Sequence, residues 1–447
     1  MTRTMAPRLF GTDGVRGKAG EYPLDPSTVR RLGAALVRAL SLDAPRVLIG
    51  RDTRESGEWI EHEFARSARG AGADVVSAGV IPTPGIAYLT RAEGFSAGVV
   101  ISASHNPYED NGIKVFSGTG EKFTETLERQ VEGIVADAGW QPVSVDAAAS
   151  AGTLVEPYLE HLRAVMPDAG SLGGARIALD CANGATSVLA PRLFRSLGFE
   201  VDTIGTSPDG RNINLGCGST HPEQLAAFIV AGGHRMGVAF DGDGDRAIFV
   251  DEQGRIVDGD AVMLMCARRL KAEGRLSGDV VVATVMSNIG LEIALKESGI
   301  ELVRCQVGDK YVMEEMLKRG ASLGGEQSGH VIFSDYLFTG DGLCTALQVL
   351  RVLAATGRTL GDLASDLTTY PQVLVNVRVK QKADVRQVPA LVEVISRVEA
   401  QLAGHGRLLV RYSGTEPLLR IMLEGRNEGE IRAWADEIAT EVRRHLA

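Results

Sequence analysis

The chain has 447 residues, of which 44% are hydrophobic, 23% charged and 5% aromatic, an ordinary globular composition that excludes disordered and fibrous classes and leaves room for several domains. With 57 acidic and 47 basic side chains the net charge is −10, which excludes general attraction to nucleic acid or an anionic membrane, so an anionic ligand has to be captured locally. The 53 glycines exceed the usual share of about 7% without a collagen period, and point to many tight loops where backbone closes on a ligand.

The N-terminus has no hydrophobic signal-peptide core, and no run approaches the roughly 20 apolar residues of a membrane span. Cys181, Cys217, Cys266, Cys305 and Cys344 are widely spaced and form no CxxC, so neither a disulfide framework nor a zinc site is expected. A reducing cytoplasm fits both observations. Residues 10–17, Phe10-Gly-Thr-Asp-Gly-Val-Arg-Gly17, set Arg16 between glycines, which suits close approach to an anion. No GxxxxGK[ST] loop occurs.

A unit then occurs three times. Apolar runs at 46–52, 176–183 and 280–287 are each followed by a helical pattern and a strand led by Gly72, Gly198 or Gly299. Strand, helix, strand is the right-handed crossover of α/β domains. Each copy ends in a third apolar run and a polar loop: Ser102-Ala-Ser-His-Asn-Pro107, Asp241-Gly-Asp-Gly-Asp-Arg246 and Gly324-Gly-Glu-Gln-Ser-Gly-His330. Ligands of open α/β sheets gather at loops leaving strand ends, so these three are expected around one site. Linkers are expected at 145–152 and around Asp251 to Gly254, and Thr368 to Pro371 closes the third unit and is the expected hinge. After Pro371 the pattern becomes an alternating strand, a helix, strands near 407–411 and 420–424, and a final helix, a small α+β domain. The expected domains are 1–150, 151–253, 254–369 and 370–447.

Asp241, Asp243 and Asp245 put three carboxylates at alternate positions. At about 5 Å spacing they repel by roughly 3 kcal/mol per pair for an effective dielectric near 20, so a cation belongs among them. Oxygen ligands from few side chains suit Mg²⁺. A calcium EF-hand would use Asp241, Asp243, Asp245 and Glu252, but Arg246 stands where that loop needs Gly and a strand precedes it. A solvated Asp-Gly turn is the remaining reading. Ser104, beside His105, suits a nucleophile or phosphate carrier, or simply a turn. Lys114 is placed to return to the same cleft as a general acid or base. Glu326, Ser328 and His330 alternate in a Gly-rich turn that can grip sugar hydroxyls, or cap a helix. Arg411, Ser413, Gly414, Thr415 and Arg420 have the composition of a phosphate cradle, or of a surface turn.

Taken in order, Thr12-Asp-Gly-Val-Arg-Gly17, the Ser104 loop, the Asp241 loop, the Glu326 loop and Arg411-Tyr-Ser-Gly-Thr-Glu-Pro417 resemble the α-D-phosphohexomutase superfamily over essentially the full length. Asn212-Ile-Asn-Leu-Gly-Cys-Gly-Ser-Thr-His221 and Gln327 set the chain apart from the phosphomannomutase and phosphoglucomutase branch and resemble the branch acting on glucosamine phosphate. The resemblance implies an α/β enzyme of four domains, three similar mixed-sheet domains and a C-terminal α+β domain, around a central cleft. It implies phosphorylation of Ser104, Mg²⁺ held by Ser104, Asp241, Asp243 and Asp245, and a sugar 1,6-bisphosphate as intermediate and activator. Glu326 and Ser328 match the sugar-reading pair, and Arg411, Ser413, Gly414, Thr415 and Arg420 the phosphate loop. Lys114 and His330 match proton-transfer positions, and Arg16 and Arg246 charge-stabilising ones. Lys310 stands where an Arg is expected, exchanging a planar two-pronged donor for a point charge. The expected partner is a small phosphosugar, not nucleic acid or a membrane; a homodimer is compatible with the sequence.

Overall fold

The structure, a computed structural model, describes residues 8–145, 150–151, 154–380, 382–402, 404–413 and 417–446. The chain divides into two compact units, residues 1–286 with 298–366, and residues 287–297 with 367–447.

The first unit is built on three sheets that repeat one order. Strands Asp74–Val80, Arg46–Arg51, Ala97–Ile101 and Asp110–Ser117 lie side by side in the first. Glu200–Ile204, Arg176–Asp180, Met236–Phe240 and Ala247–Val250 do so in the second, and Glu301–Cys305, Val280–Thr284, Leu323–Gly325 and Val331–Phe333 in the third. In each set the first three strands run parallel and the fourth is antiparallel. The triplication expected from apolar periodicity is therefore a repeat of topology. Central strands covered on both faces need continuous apolar runs, and every residue of Ala97–Ile101 and Met236–Phe240 is buried.

The first sheet is extended by Gly14–Lys18 and Phe10–Gly11 on one edge and by Ser150–Ala151 on the other. The loop carrying Arg16 is thus strand, with Arg16 opposite Gly112 in antiparallel register. Helix Pro26–Leu40 covers this domain; Asp25 caps it by accepting from the backbone N–H groups of Ser27 and Thr28, a contact worth about 1 kcal/mol. Val29, Leu32, Leu36 and Val37 point from it into a core with Val47, Ile49, Phe64 and Val99.

Of the linker expected at 145–152, residues 146–149 and 152 lie outside the described residues, and Ser150–Ala151 pairs in parallel with Val76 and Ser77 as an edge strand. The polar turn expected around Asp251 to Gly254 is a hairpin turn between Ala247–Val250 and Ile256–Val257. The Asp251 side chain closes it by accepting from the N–H groups of Gln253 and Arg255, which is why a polar composition marks a turn inside the sheet.

In the second unit, strands Gln372–Arg378, Leu418–Gly425 and Gly406–Tyr412 form an antiparallel sheet in that order. Helices Pro389–Leu402 and Glu428–Leu446 supply Leu391, Val398, Ile431 and Ile438 to a core with Leu419, Ile421 and Leu423. Residues 368–371 lie inside this unit, where Tyr370 and Asn288 exchange two hydrogen bonds of 2.9 and 3.0 Å. The five cysteines are free, Cys305 half-buried and the others buried. Among the described residues no helix is long and apolar enough to cross a membrane.

Candidate active site

Two loops leaving third strands of the first unit meet edge to edge. Gly242 lets them approach, since a Cβ there would stand 2.6 Å from the Ser104 carbonyl oxygen. Ser104 is buried at a left-handed φ of 53°, and its Oγ donates to Asp241 Oδ2 at 2.5 Å. Oxygens from Asp241, Asp243 and Asp245 lie within 4.8 Å of one another. The loop joins two antiparallel strands, so the EF-hand reading falls.

Lys114, on Asp110–Ser117, buries its ammonium against this group. Its Nζ donates to Asp243 Oδ2 at 2.7 Å and Asp245 Oδ2 at 3.3 Å, and pairs with Asp13 Oδ2 at 3.0 Å. Burial works against the charge, but Asp13, Asp243 and Asp245 hold its pKa well above the ordinary lysine value. Thr83 Oγ1 also donates to Asp243 Oδ2, at 2.6 Å. These donors leave Asp243 Oδ1 buried with no hydrogen-bond partner among the described residues. Burial, then Asp245 and Asp243, push the Asp241 carboxyl well above the usual carboxylate range, whereas Lys114 and His330, against burial, hold Asp245 well below it. The triad thus presents an orphaned carboxylate oxygen and the Ser104 hydroxyl at one point, and a hard divalent cation fits there.

Beside the triad opens a cavity of about 400 Å³ lined by Asp13, Arg16, His105, Asp245, Arg246 and Glu326 together with backbone-rich segments near residues 9–14 and 307–309. Arg16 donates to Asp13, and Arg246 Nε stands 3.9 Å from Asp245 Oδ1, so both guanidinium groups line the cavity beside its acids. His105 Nδ1 is 3.4 Å from Ser104 Oγ; burial, then Arg246 and Arg16, lower its pKa to about 4. Glu326 Oε1 accepts the Gly308 N–H at 3.2 Å.

Three expected site residues are not among those lining the cavity. Ser328 is exposed at the tip of its turn and is not among the lining residues. Lys310 Nζ donates to Glu128 Oε2 at 2.8 Å, committing its charge to helix Glu125–Ala136. His330 is buried behind Asp245, with Nδ1 3.6 Å from Asp245 Oδ1 and Nε2 accepting the Gly340 N–H at 3.0 Å. In the second unit, Arg411 and Arg420 face one another across neighbouring strands, and burial, then Arg420, lower the Arg411 pKa. Ser413 is buried and its carbonyl accepts from Lys382 Nζ at 2.6 Å, while Gly414 and Thr415 lie outside the described residues.

Four family models match the chain in order: phosphoglucomutase/phosphomannomutase alpha/beta/alpha domain I over residues 7–141, domain II over 156–254, domain III over 258–370 and the C-terminal domain over 374–441. The chain belongs to the phosphoglucomutase/phosphomannomutase family. Like the family's other members it is an enzyme of four domains, three α/β and a distinct C-terminal one. It is 51% identical to a phosphoglucosamine mutase of Solibacter usitatus, over 99% of this chain and 100% of that one. A phosphoglucosamine mutase of Syntrophotalea carbinolica is 47% identical, over 99% and 98%. The crystal structure of a phosphoglucomutase/phosphomannomutase family protein from Burkholderia thailandensis superposes with a TM-score of 0.81 at 26% identity, covering 98% of both chains.

Several members of this phosphohexomutase site escaped sequence reasoning. Asp13 gathers Lys114, Lys122 and Arg16, and against burial these cations hold its carboxyl well below the usual range. Lys122 also pairs with Asp309. Arg54 and Asn214 reach the Ser104 loop from other segments. Asp13 had a visible signal in its place within the Arg16 motif; Arg54, Lys122 and Asp309 had none, because an isolated charge in a helix-and-strand pattern reads as surface.

Proposed function

We propose that this phosphohexomutase interconverts glucosamine 6-phosphate and glucosamine 1-phosphate through a phosphorylated Ser104. Phospho-Ser104 gives its phosphoryl group to the free 1-hydroxyl: the Oγ–P bond breaks, an O1–P bond forms, and the hydroxyl proton leaves to the enzyme. The 1,6-bisphosphate so formed reorients, and the Ser104 oxygen takes the 6-phosphoryl group. Glucosamine 1-phosphate remains, an amino-sugar precursor. The observation that carries this reading is the buried Ser104 hydroxyl, 2.5 Å from a carboxylate of the triad and beside a cavity rimmed by Arg16 and Arg246. The relatives' 47 and 51% identity over nearly whole chains supports the glucosamine specificity.

Asp241, Asp243, Asp245 and the Ser104 phosphate would hold Mg²⁺, which when bound supplies charge neutralisation to the transferring group. Arg16 and Arg246 stabilise the same charge from the cavity side, and Glu326 reads sugar hydroxyls with Ser328 on the same turn. Arg411, Ser413, Gly414, Thr415 and Arg420 are assigned to the phosphate that is not reacting, with Lys310 a less direct contributor given its Glu128 pair. Lys114, whose ammonium reaches Asp243 and Asp245, and His330, whose Nδ1 stands 3.6 Å from Asp245, are assigned to proton handling.

Intact mass spectrometry with fragment mapping tests the reading: one added phosphate on Ser104 is expected, and a serine that stays unmodified after incubation with a sugar 1,6-bisphosphate overturns it. Turnover assays then compare glucosamine 6-phosphate with mannose and glucose phosphates. Phosphate release without isomerisation would assign a sugar phosphatase instead.

A further inference from the structure

The segment 212–221 belongs to the second α/β domain and is not among the residues lining the cavity, yet one of its side chains reaches into the first. Asn214 Nδ2 donates to the carbonyl oxygens of Ser104 and Asn106 at 2.9 and 3.1 Å. Asn214 itself is buried at a left-handed φ of 57°, and its N–H donates to the Ala182 carbonyl at 2.9 Å. From the opposite side the fully buried Arg54 guanidinium donates to the carbonyls of Ser104 and Asn106 at 2.9 Å each, of Asp110 at 3.0 Å, and of Pro107. Asp52 anchors Arg54 through Nε at 2.9 Å and accepts the Ser102 hydroxyl at 2.5 Å; Ser102 Oγ in turn accepts the Ser104 N–H at 2.9 Å. Gly242 closes the remaining side.

Ser104 occupies a backbone region that costs a non-glycine residue on the order of 1 kcal/mol and persists only where surroundings over-determine it. Here both peptide groups flanking its side chain are held. The carbonyl is shared by a guanidinium from its own domain and an amide from the next, and the N–H is tied through Ser102 and Asp52 back to that guanidinium. Rotating the Ser104 peptide would break bonds to Arg54 and Asn214 together and swing Oγ away from Asp241. We infer that Asn214, acting with Arg54, is a positioning residue for phosphoryl transfer: it clamps the Ser104 carbonyl across the domain boundary so that Oγ keeps one orientation toward the acidic triad. Neither residue touches the cavity. The inference rests on transfer through phospho-Ser104.

The test uses the full-length, phosphorylated enzyme. Asn214→Gly removes the amide while leaving a residue at ease with the left-handed φ, so loss of the clamp is separated from backbone strain. A misplacement of the reacting oxygen predicts a kcat lower by about 10- to 100-fold with KM changed by less than about threefold. The phosphoserine ³¹P resonance is expected to be single in the parent enzyme and to broaden or split in the variant. Arg54→Lys, which keeps the charge beside Asp52 but not the fork to several carbonyls, is expected to act in the same direction. A kcat within about twofold of the parent with an unchanged ³¹P line overturns the clamp. So does a fall in apparent kcat that is fully accounted for by the fraction of variant unfolded at the assay temperature, with an unchanged ³¹P line from the folded fraction, since that is the mark of general destabilisation. If the parent protein itself shows no phosphoserine signal, the reading of Ser104 fails instead, and the two failures are told apart.

Discussion

The loops after the third strands of the first and third α/β domains occupy equivalent places in one repeated topology and are built for opposite purposes. Ser104 is buried and held at both flanking peptide groups by Arg54, Asn214 and Ser102, and its hydroxyl is tied to Asp241. The Glu326 loop carries one carboxylate on the cavity wall and an exposed serine at its tip. Phosphoryl transfer needs an oxygen fixed to a fraction of an ångström in a site of low dielectric. Reading a sugar needs donors and acceptors that a substrate can reach and leave. The same supersecondary unit meets both demands because the strands fix where the loop starts, and the partners packed on it decide how far it can move.

Substitutions should separate the two loops in size and kind of effect. Ser104→Ala removes the phosphate carrier, and turnover should fall by on the order of 10⁴-fold or more in a coupled assay with bisphosphate present. Asp243→Asn alters the orphaned oxygen and the partner of Lys114 and Thr83; kcat should drop by about 10²- to 10³-fold, with weaker Mg²⁺ binding by titration calorimetry. An Asp243→Asn enzyme with unchanged metal affinity would remove the triad from the metal site. On the other loop, Glu326→Gln should show mainly as a rise in KM of about tenfold, and exposed Ser328→Ala as about threefold or less. Equal losses of kcat at Glu326 and Asp243 would erase the distinction.

The last effect is on stability and away from turnover. Asp341 caps helix Gly342–Thr356, whose first N–H donates to the Gly244 carbonyl of the metal loop at 3.0 Å. Burial raises the Asp341 carboxyl to about 6, and its Oδ2 accepts from the Tyr158 hydroxyl at 2.9 Å. A carboxyl with a folded pKa above its unfolded value binds its proton more tightly when folded, so this contribution is full below about pH 4 and is lost as pH rises through about 6. The loss is on the order of 2–3 kcal/mol. Asp341→Asn, with no proton to lose, should flatten that part of the melting-temperature profile; parallel profiles for the two proteins would refute the assignment.

Much of this was legible in the chain. Continuous apolar runs with glycine-led second strands announced the repeated α/β unit, because burial on both sheet faces leaves no polar alternation. The alternating aspartates announced a cation site, since their spacing leaves few arrangements that do not crowd charge. The polar turn at Asp251 is a hairpin turn that closes the second sheet, next to where the second family model ends at 254 and the third begins at 258. Lys310 pairs with Glu128, 182 residues away on helix Glu125–Ala136, and His330 Nε2 takes the nearby Gly340 N–H while its Nδ1 faces Asp245, partners that the motifs themselves do not name.

The sequence by itself determined the order of strands and helices, the polar loops at the ends of third strands and the kinds of ligand those loops can hold, because periodicity and side-chain chemistry are local. Tertiary structure alone decided which atoms meet. Lys114 finds Asp243 across 129 residues and Asn214 finds the Ser104 carbonyl across 110, and neither pairing leaves a trace in spacing. A buried charge or amide takes whatever complementary group the packed strands bring to it, and that choice is made only once the sheets have been laid against one another.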